Sequence, residues 1–119
     1  MHELALATSI INSVLHEVQR QNLPPVQTIA LRIGPLSNVD PEALRFGFES
    51  IVSDTPLARA RLEIEFVPVR GKCRACQHEF AVPDFVFACP QCNSGQIETT
   101  RGDELDIAYL EVAGLEVRE

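Results

Sequence analysis

Two Cys-x-x-Cys pairs, Cys73 with Cys76 and Cys89 with Cys92, hold every thiol of the chain, and they constrain it more than any other feature. Twelve residues separate the pairs. Two such pairs at this spacing describe one tetrahedral metal site of the zinc-ribbon kind. Each pair sits at the tip of a tight turn, and a short hairpin brings the tips together. Four thiolates also accept iron in this geometry, and zinc is the reading for a site with no other redox signature.

Disulfides would require an oxidising compartment. The start, Met1-His2-Glu3-Leu4, lacks the basic start, apolar core and cleavage site of a signal peptide, and no apolar run reaches membrane-spanning length. A cytoplasmic protein with free thiols is therefore expected, without insertion into a membrane. Ten Lys and Arg against seventeen Asp and Glu give a formal charge of −7. Deprotonating four thiols and adding one dication changes this by −4 and +2, to −9. Around the cysteines, Arg70, Lys72, Arg74 and Arg101 are matched by Glu79, Asp84, Glu98 and Asp103, so no basic footprint for nucleic acid remains.

Along the chain, Leu4, Ala7, Ile11, Val14 and Val18 recur at helical spacing, with Ile10 and Leu15 beside them. Pro24-Pro25 cannot continue that helix, which places its end near Asn22. His16 is read as a surface residue. Val26 to Ile33 alternates as a half-buried strand ended by Gly34-Pro35. Asp40-Pro41 reads as an N-cap and a first helical position, opening a second helix to about Ser53. Leu44, Phe48 and Ile51 form its buried stripe, and Gly47 allows close packing. A second strand is expected from Arg61 to Val69, with Pro68 at its end. Short strands follow at Glu79–Val82, Phe85–Ala88 and Gln96–Thr100. A last strand carries Leu105, Ile107 and Tyr109 on one face, and the change of phase at Leu110 and Val112 signals a bulge.

The expected fold class is α+β, two helices packed on a three-stranded mixed sheet with an inserted zinc-ribbon subdomain. Residues 1–69 with 104–119 would form the main domain and residues 70–103 the insert. No phosphate loop, nucleophile elbow or dinucleotide turn is present, and a closed site of four cysteines leaves no open position for hydrolysis. An enzyme is not expected.

The N-terminus offers a second kind of metal chemistry. A free α-amine, the His2 amide nitrogen and the His2 imidazole can close fused rings around one ion, which suits square-planar or tetragonal Ni(II) or Cu(II).

Over essentially its full length the sequence resembles the HypA (HybF) family of hydrogenase maturation nickel chaperones. The resemblance rests on Met1-His2-Glu3, Ile33-Gly34, Asp40 before the second helix, the two Cys-x-x-Cys pairs with Cys89-Pro-Gln-Cys92, and Gly102-Asp103-Glu104-Leu105. It implies a metallochaperone that delivers Ni(II) to the large subunit of [NiFe]-hydrogenase with the HypB GTPase, while Zn(II) is structural. It also implies nickel ligands from the Met1 amine, His2 and the backbone of Glu3. Asp40 stands between a helix cap and a share in that site, and His78 between a surface residue and a neighbour of the zinc. Monomer or homodimer is left open. A zinc-ribbon adaptor that uses no nickel is the alternative from another class.

Overall fold

The computed structural model describes residues 2–118. Helix α1 spans His2–Gln21 and buries Ala7, Ile10, Ile11 and Val14, the middle of the stripe that the sequence spacing predicts, while Leu4 at one end is exposed and Leu15 and Val18 are half-buried. It ends because Asn22 turns left-handed, at φ 54°, and the Leu23 N–H closes on the Val18 carbonyl at 3.0 Å. This is a six-to-one capping bond, which asparagine can support and which the two prolines beyond it keep from extending. Helix α2 spans Pro41–Val52. Its N-cap is Asp40, whose Oδ1 accepts the N–H groups of Glu42 at 3.0 Å and Ala43 at 3.5 Å. Such a cap is worth about 1 kcal/mol. Leu44 and Phe48 are fully buried on the inner face, each contributing roughly 1.5–3 kcal/mol of apolar transfer.

One sheet has the order β2-β1-β6-β7, formed by Arg61–Phe66, Val26–Ile33, Leu105–Val112 and Leu115–Val117. The Val67 N–H donates to Ile33 O at 2.9 Å, so β1 and β2 end side by side and run in the same direction. The Gly34 N–H donates to Glu104 O at 2.9 Å, so β1 ends where β6 begins and the two are antiparallel. The sheet is therefore mixed, as expected, but it has a fourth strand. β7 pairs antiparallel with β6 through Leu110 with Val117 and Val112 with Leu115. Ala113 and Gly114, both at positive φ, make the two-residue turn between them. On β6 the fully buried face belongs to Leu110 and Val112, while Ile107 and Tyr109 are half-buried. The change of phase therefore reflects partial cover on both faces of a strand that runs unbroken from Leu105 to Val112.

The second sheet has the order β4-β3-β5, from Glu79–Ala81, Arg70–Cys73 and Ile97–Arg101. Here the expected strand from Arg61 toward the first cysteine pair divides into β2 and β3, because Pro68 lacks an N–H for a ladder. A register shift lies between Arg70 and Gly71, where β3 meets β5. Phe85–Ala88 is not a strand. Pro83–Phe85 forms a 3-10 turn, with Asp84 and Phe85 at φ 54° and 59°, which breaks any extended run.

The chain divides into two compact units. The first comprises Met1–Leu31, Val39–Glu65 and Asp106–Glu119, and the second Arg32–Asn38 and Phe66–Leu105. The second is wider than residues 70–103 because backbone bonds lace its segments together. Leu36 N–H donates to Gly102 O at 2.8 Å, and Val82 N–H to Val69 O at 3.0 Å. Gly34 and Gly102 permit this, since a Cβ on Gly34 would lie 2.0 Å from Gly102 O. Among the described residues, no helix is long and apolar enough to cross a membrane.

Candidate metal centres

The two cysteine pairs form matching turns. In the first, Cys73 O accepts the Gln77 N–H at 2.8 Å and the Cys73 N–H donates to His78 O at 2.9 Å. In the second, Cys89 O accepts the Asn93 N–H at 2.8 Å and the Cys89 N–H donates to Ser94 O at 2.9 Å. Gln77 and Asn93, the residues just after each second cysteine, are left-handed at φ 70° and 63°. Sequence reasoning overlooked this pair, whose signal was their common place one residue past each Cys-x-x-Cys. The bond from Arg74 N–H to Gln96 O at 2.9 Å ties the first turn to the segment beyond the second.

These turns bring all four Sγ atoms within 4.8 Å of one another. Cys73 and Cys92 stand 3.6 Å apart and Cys76 and Cys89 3.5 Å apart, and all four are free thiols. A tetrahedral zinc with Zn–S bonds of about 2.3 Å needs sulfur separations of roughly 3.8 Å, so the quartet fits that ion with little adjustment. Cys73 and Cys89 are buried beside Val69, Phe80 and Val82, with Phe87 and Ile97 packed against them. The first cysteine of each turn is therefore part of a small core.

The thiols fall into two classes. Cys73 is lowered to about 6, because the backbone N–H groups of Cys76 and Ala75 favour its thiolate against the opposing effect of burial. Cys89 is lowered too: burial opposes this, but the N–H groups of Cys92 and Gln91 and the Cys76 thiol outweigh it. Cys76 is raised to about 12. The His78 N–H favours its thiolate, but burial and the sulfurs of Cys89, Cys92 and Cys73 prevail. Cys92 is raised against the Ser94 N–H, by Cys73, burial and Cys89. A dication placed among the four would relieve that mutual repulsion.

His78 does not enter the cluster. Among the described residues the metal-capable group consists of the four cysteines, and the His78 ring stacks on Phe80 with centroids 5.8 Å apart.

At the other candidate centre, Met1 lies outside the described residues. His2 is exposed on the first turn of α1. Glu3 reaches α2, where its Oε2 accepts the Asp40 N–H at 3.5 Å. The first four N–H groups of a helix have no intrahelical acceptor, so a start at His2 leaves the amide nitrogens of His2 and Glu3 outside the helical ladder. They can be given to a metal without unpicking that ladder. Asp40 is observed as a cap, and both of its cap bonds go to one oxygen, Oδ1.

A family model described as hydrogenase/urease nickel incorporation, metallochaperone, hypA matches residues 1–112. A protein named hydrogenase maturation factor HypA from Rhodopseudomonas palustris (strain BisA53) is 42% identical over 112 residues, covering 94% of this chain and 99% of the relative. One of the same name from Desulfitobacterium hafniense (strain DSM 10664 / DCB-2) is 38% identical over 112 residues, covering 94% and 98%. In fold, the chain is similar to a solution structure of HypA protein, with TM-score 0.72 at 23% identity, covering 97% and 98% of the two chains. It is also similar to the solution structure of the Ni metallochaperone HypA from Helicobacter pylori, with TM-score 0.64 at 21% identity, covering 92% and 96%.

Proposed function

This chain belongs to the HypA family of hydrogenase/urease nickel-incorporation metallochaperones, and on that premise we propose that it binds Ni(II) at its N-terminus and passes it to the large subunit of a [NiFe]-hydrogenase. The ligands in this reading are the Met1 amine, the amide nitrogen and imidazole of His2 and the backbone of Glu3. The observation that carries it is the start of α1 at His2, which leaves the first-turn amides outside the helical ladder and the imidazole exposed. A bare dication is disfavoured at the positive end of a helix dipole. Deprotonated amides and the carboxylates of Glu3 and Asp40 offset that cost, and the balance suits an ion that must be released.

Zn(II) in this reading is structural and is held by Cys73, Cys76, Cys89 and Cys92. A closed set of four thiolates exchanges metal slowly, whereas an exposed nitrogen-rich site exchanges it readily. Cargo and resident metal therefore occupy sites of opposite chemistry. The ribbon of residues 70–103 is the resident module, and the HypB GTPase is the partner in delivery, in a reducing cytoplasm that keeps the thiols available.

The test is a Ni(II) titration of the untagged protein beside His2→Ala and a form extended by a few residues before Met1. Only the native N-terminus is expected to bind tightly. Equal binding by all three forms would remove the proposed site and restore the adaptor alternative.

A further inference from the structure

Gly47 is buried midway along α2, where a glycine costs the helix about 1 kcal/mol relative to alanine. Its surroundings show what this bare position allows. A Cβ built there would lie 3.5 Å from Leu4 Cα, 3.6 Å from the Glu3 carbonyl oxygen and 3.6 Å from Leu4 Cδ1. The neighbours are thus the backbone and one methyl of the first turn of α1. Seven residues earlier in the sequence, Asp40 donates its N–H to the Glu3 carboxylate at 3.5 Å. The first turn of α1 is fastened to α2 at both points.

We propose that Gly47 is a positioning residue for the N-terminal nickel site: it sets the close approach of α1 to α2 that holds Glu3 beside Asp40. This rests on the N-terminal reading above. The amine, amide and imidazole chelate is local and can form on any chain that starts Met-His. What the fold adds is a carboxylate 37 residues away, and Asp40 spends only Oδ1 on its cap. A side chain larger than methyl at position 47 would lift the first turn of α1 from α2 and separate the local chelate from that carboxylate. Alanine would not, because 3.5–3.6 Å is ordinary van der Waals contact.

The experiment compares Ni(II) affinity for the zinc-loaded full chain, Gly47→Leu, Gly47→Ala, Gly47→Leu with Leu4→Ala, His2→Ala, and a peptide of residues 1–5. Zinc content and thermal midpoint are measured on each protein. Leucine is a better helix former than glycine, so Gly47→Leu does not weaken α2 itself. It is expected to bind nickel about tenfold or more weakly than wild type, approaching the peptide, with zinc content and midpoint kept. Gly47→Ala should bind like wild type, and the double variant should recover affinity because Leu4→Ala returns space. Wild-type affinity in Gly47→Leu would overturn the assignment. So would a wild type no tighter than the peptide, or a stably folded double variant that recovers nothing. Should Gly47→Leu fail to fold, the double variant and Gly47→Ala decide the matter by the same comparison. Nickel binding undiminished in His2→Ala would instead remove the N-terminal site on which the assignment rests.

Discussion

The Glu3 carboxylate accepts the backbone N–H of Asp40 at 3.5 Å, and Asp40 itself caps α2 through Oδ1. The first turn of one helix is thereby joined to the cap of the other, across 37 positions of sequence. Asp40 need not be either a cap or a metal-site residue, because its backbone N–H, Oδ1 and Oδ2 can serve different partners.

Two substitutions at Asp40 should separate its roles. Asp40→Ala removes cap and carboxylate together and should lower stability by about 1 kcal/mol. Asp40→Ser keeps a cap, so stability should stay within a few tenths of a kcal/mol of wild type. Nickel affinity should fall in both. Chemical denaturation and nickel titration on the same samples provide the check, and an Asp40→Ser protein with wild-type affinity would leave Asp40 as a cap alone.

Stripping zinc should unfold the second unit selectively. Two of the five buried residues of its core cluster, Cys73 and Cys89, are themselves proposed ligands, so without metal little apolar packing remains to hold the turns. The helical far-ultraviolet signal of α1 and α2 should survive chelation, while amide protection at Cys73, Phe80 and Val82 should be lost. Loss of the helical signal together with the metal would show one cooperative unit.

Zinc uptake should release between two and three protons near pH 8. Cys73, lowered to about 6, is a thiolate at that pH, and Cys89 is lowered in the same direction. The other two are raised, with Cys76 at about 12, and keep their protons until metal displaces them. Titration calorimetry in buffers of different ionisation enthalpy counts the protons. A release near four would mean that the metal-free quartet holds all its protons.

Gly34 and Gly102 should tolerate no side chain. An added Cβ on Gly34 would lie 2.0 Å from Gly102 O, and one on Gly102 would lie 2.7 Å from Val69 Cα. Gly102 also sits at φ 113°, a conformation that other residues rarely adopt. Alanine at either position should cost about 3 kcal/mol or more, because the obstructing atoms are backbone. A loss below about 1 kcal/mol in denaturant melts would mean that these segments shift apart freely.

A modest acid sensitivity should arise at the end of α1. Glu17 is lowered from 4.5 to about 2 by hydrogen bonds from Arg20 and Gln21. A depressed carboxylate contributes its stability fully above the unfolded value of 4.5 and loses it as pH falls toward 2. Glu17→Gln should therefore lie below wild type by a constant amount above pH 4.5 and converge with it as the pH falls toward 2. The pair is solvent-exposed, so the effect should shrink further in salt. An unaltered profile between pH 4.5 and 2 would place the acid response elsewhere.

The elements legible in the sequence were those written in short-range pattern. The stripe of α1, the Asp40-Pro41 opening of α2 and the span of β1 each depend on neighbours within about a turn or two, and the structure shows them close to where the sequence placed them, although β1 is buried on both faces from Thr28 to Leu31 and not half-buried. Phe85–Ala88 shows where such pattern fails, since its apolar residues resemble a strand while two positive φ angles exclude one. The fourth strand was missed because Leu115–Val117 is short and pairs only by folding back over Ala113-Gly114.

The sequence by itself determined the candidate metal ligands, because four thiols at two-residue spacing and a histidine after the first residue are properties of chain connectivity. It also determined the two helices and their caps, since each cap bond joins residues only a few positions apart. Only the tertiary structure decided which long-range neighbours these features meet: Glu3 with Asp40, Gly47 with Leu4, Gly34 with Gly102. The physical reason is that a glycine or a carboxylate announces what it permits and not what will fill the space. That partner is chosen when the chain closes loops of 37 to 68 residues and buries the surfaces it has brought together.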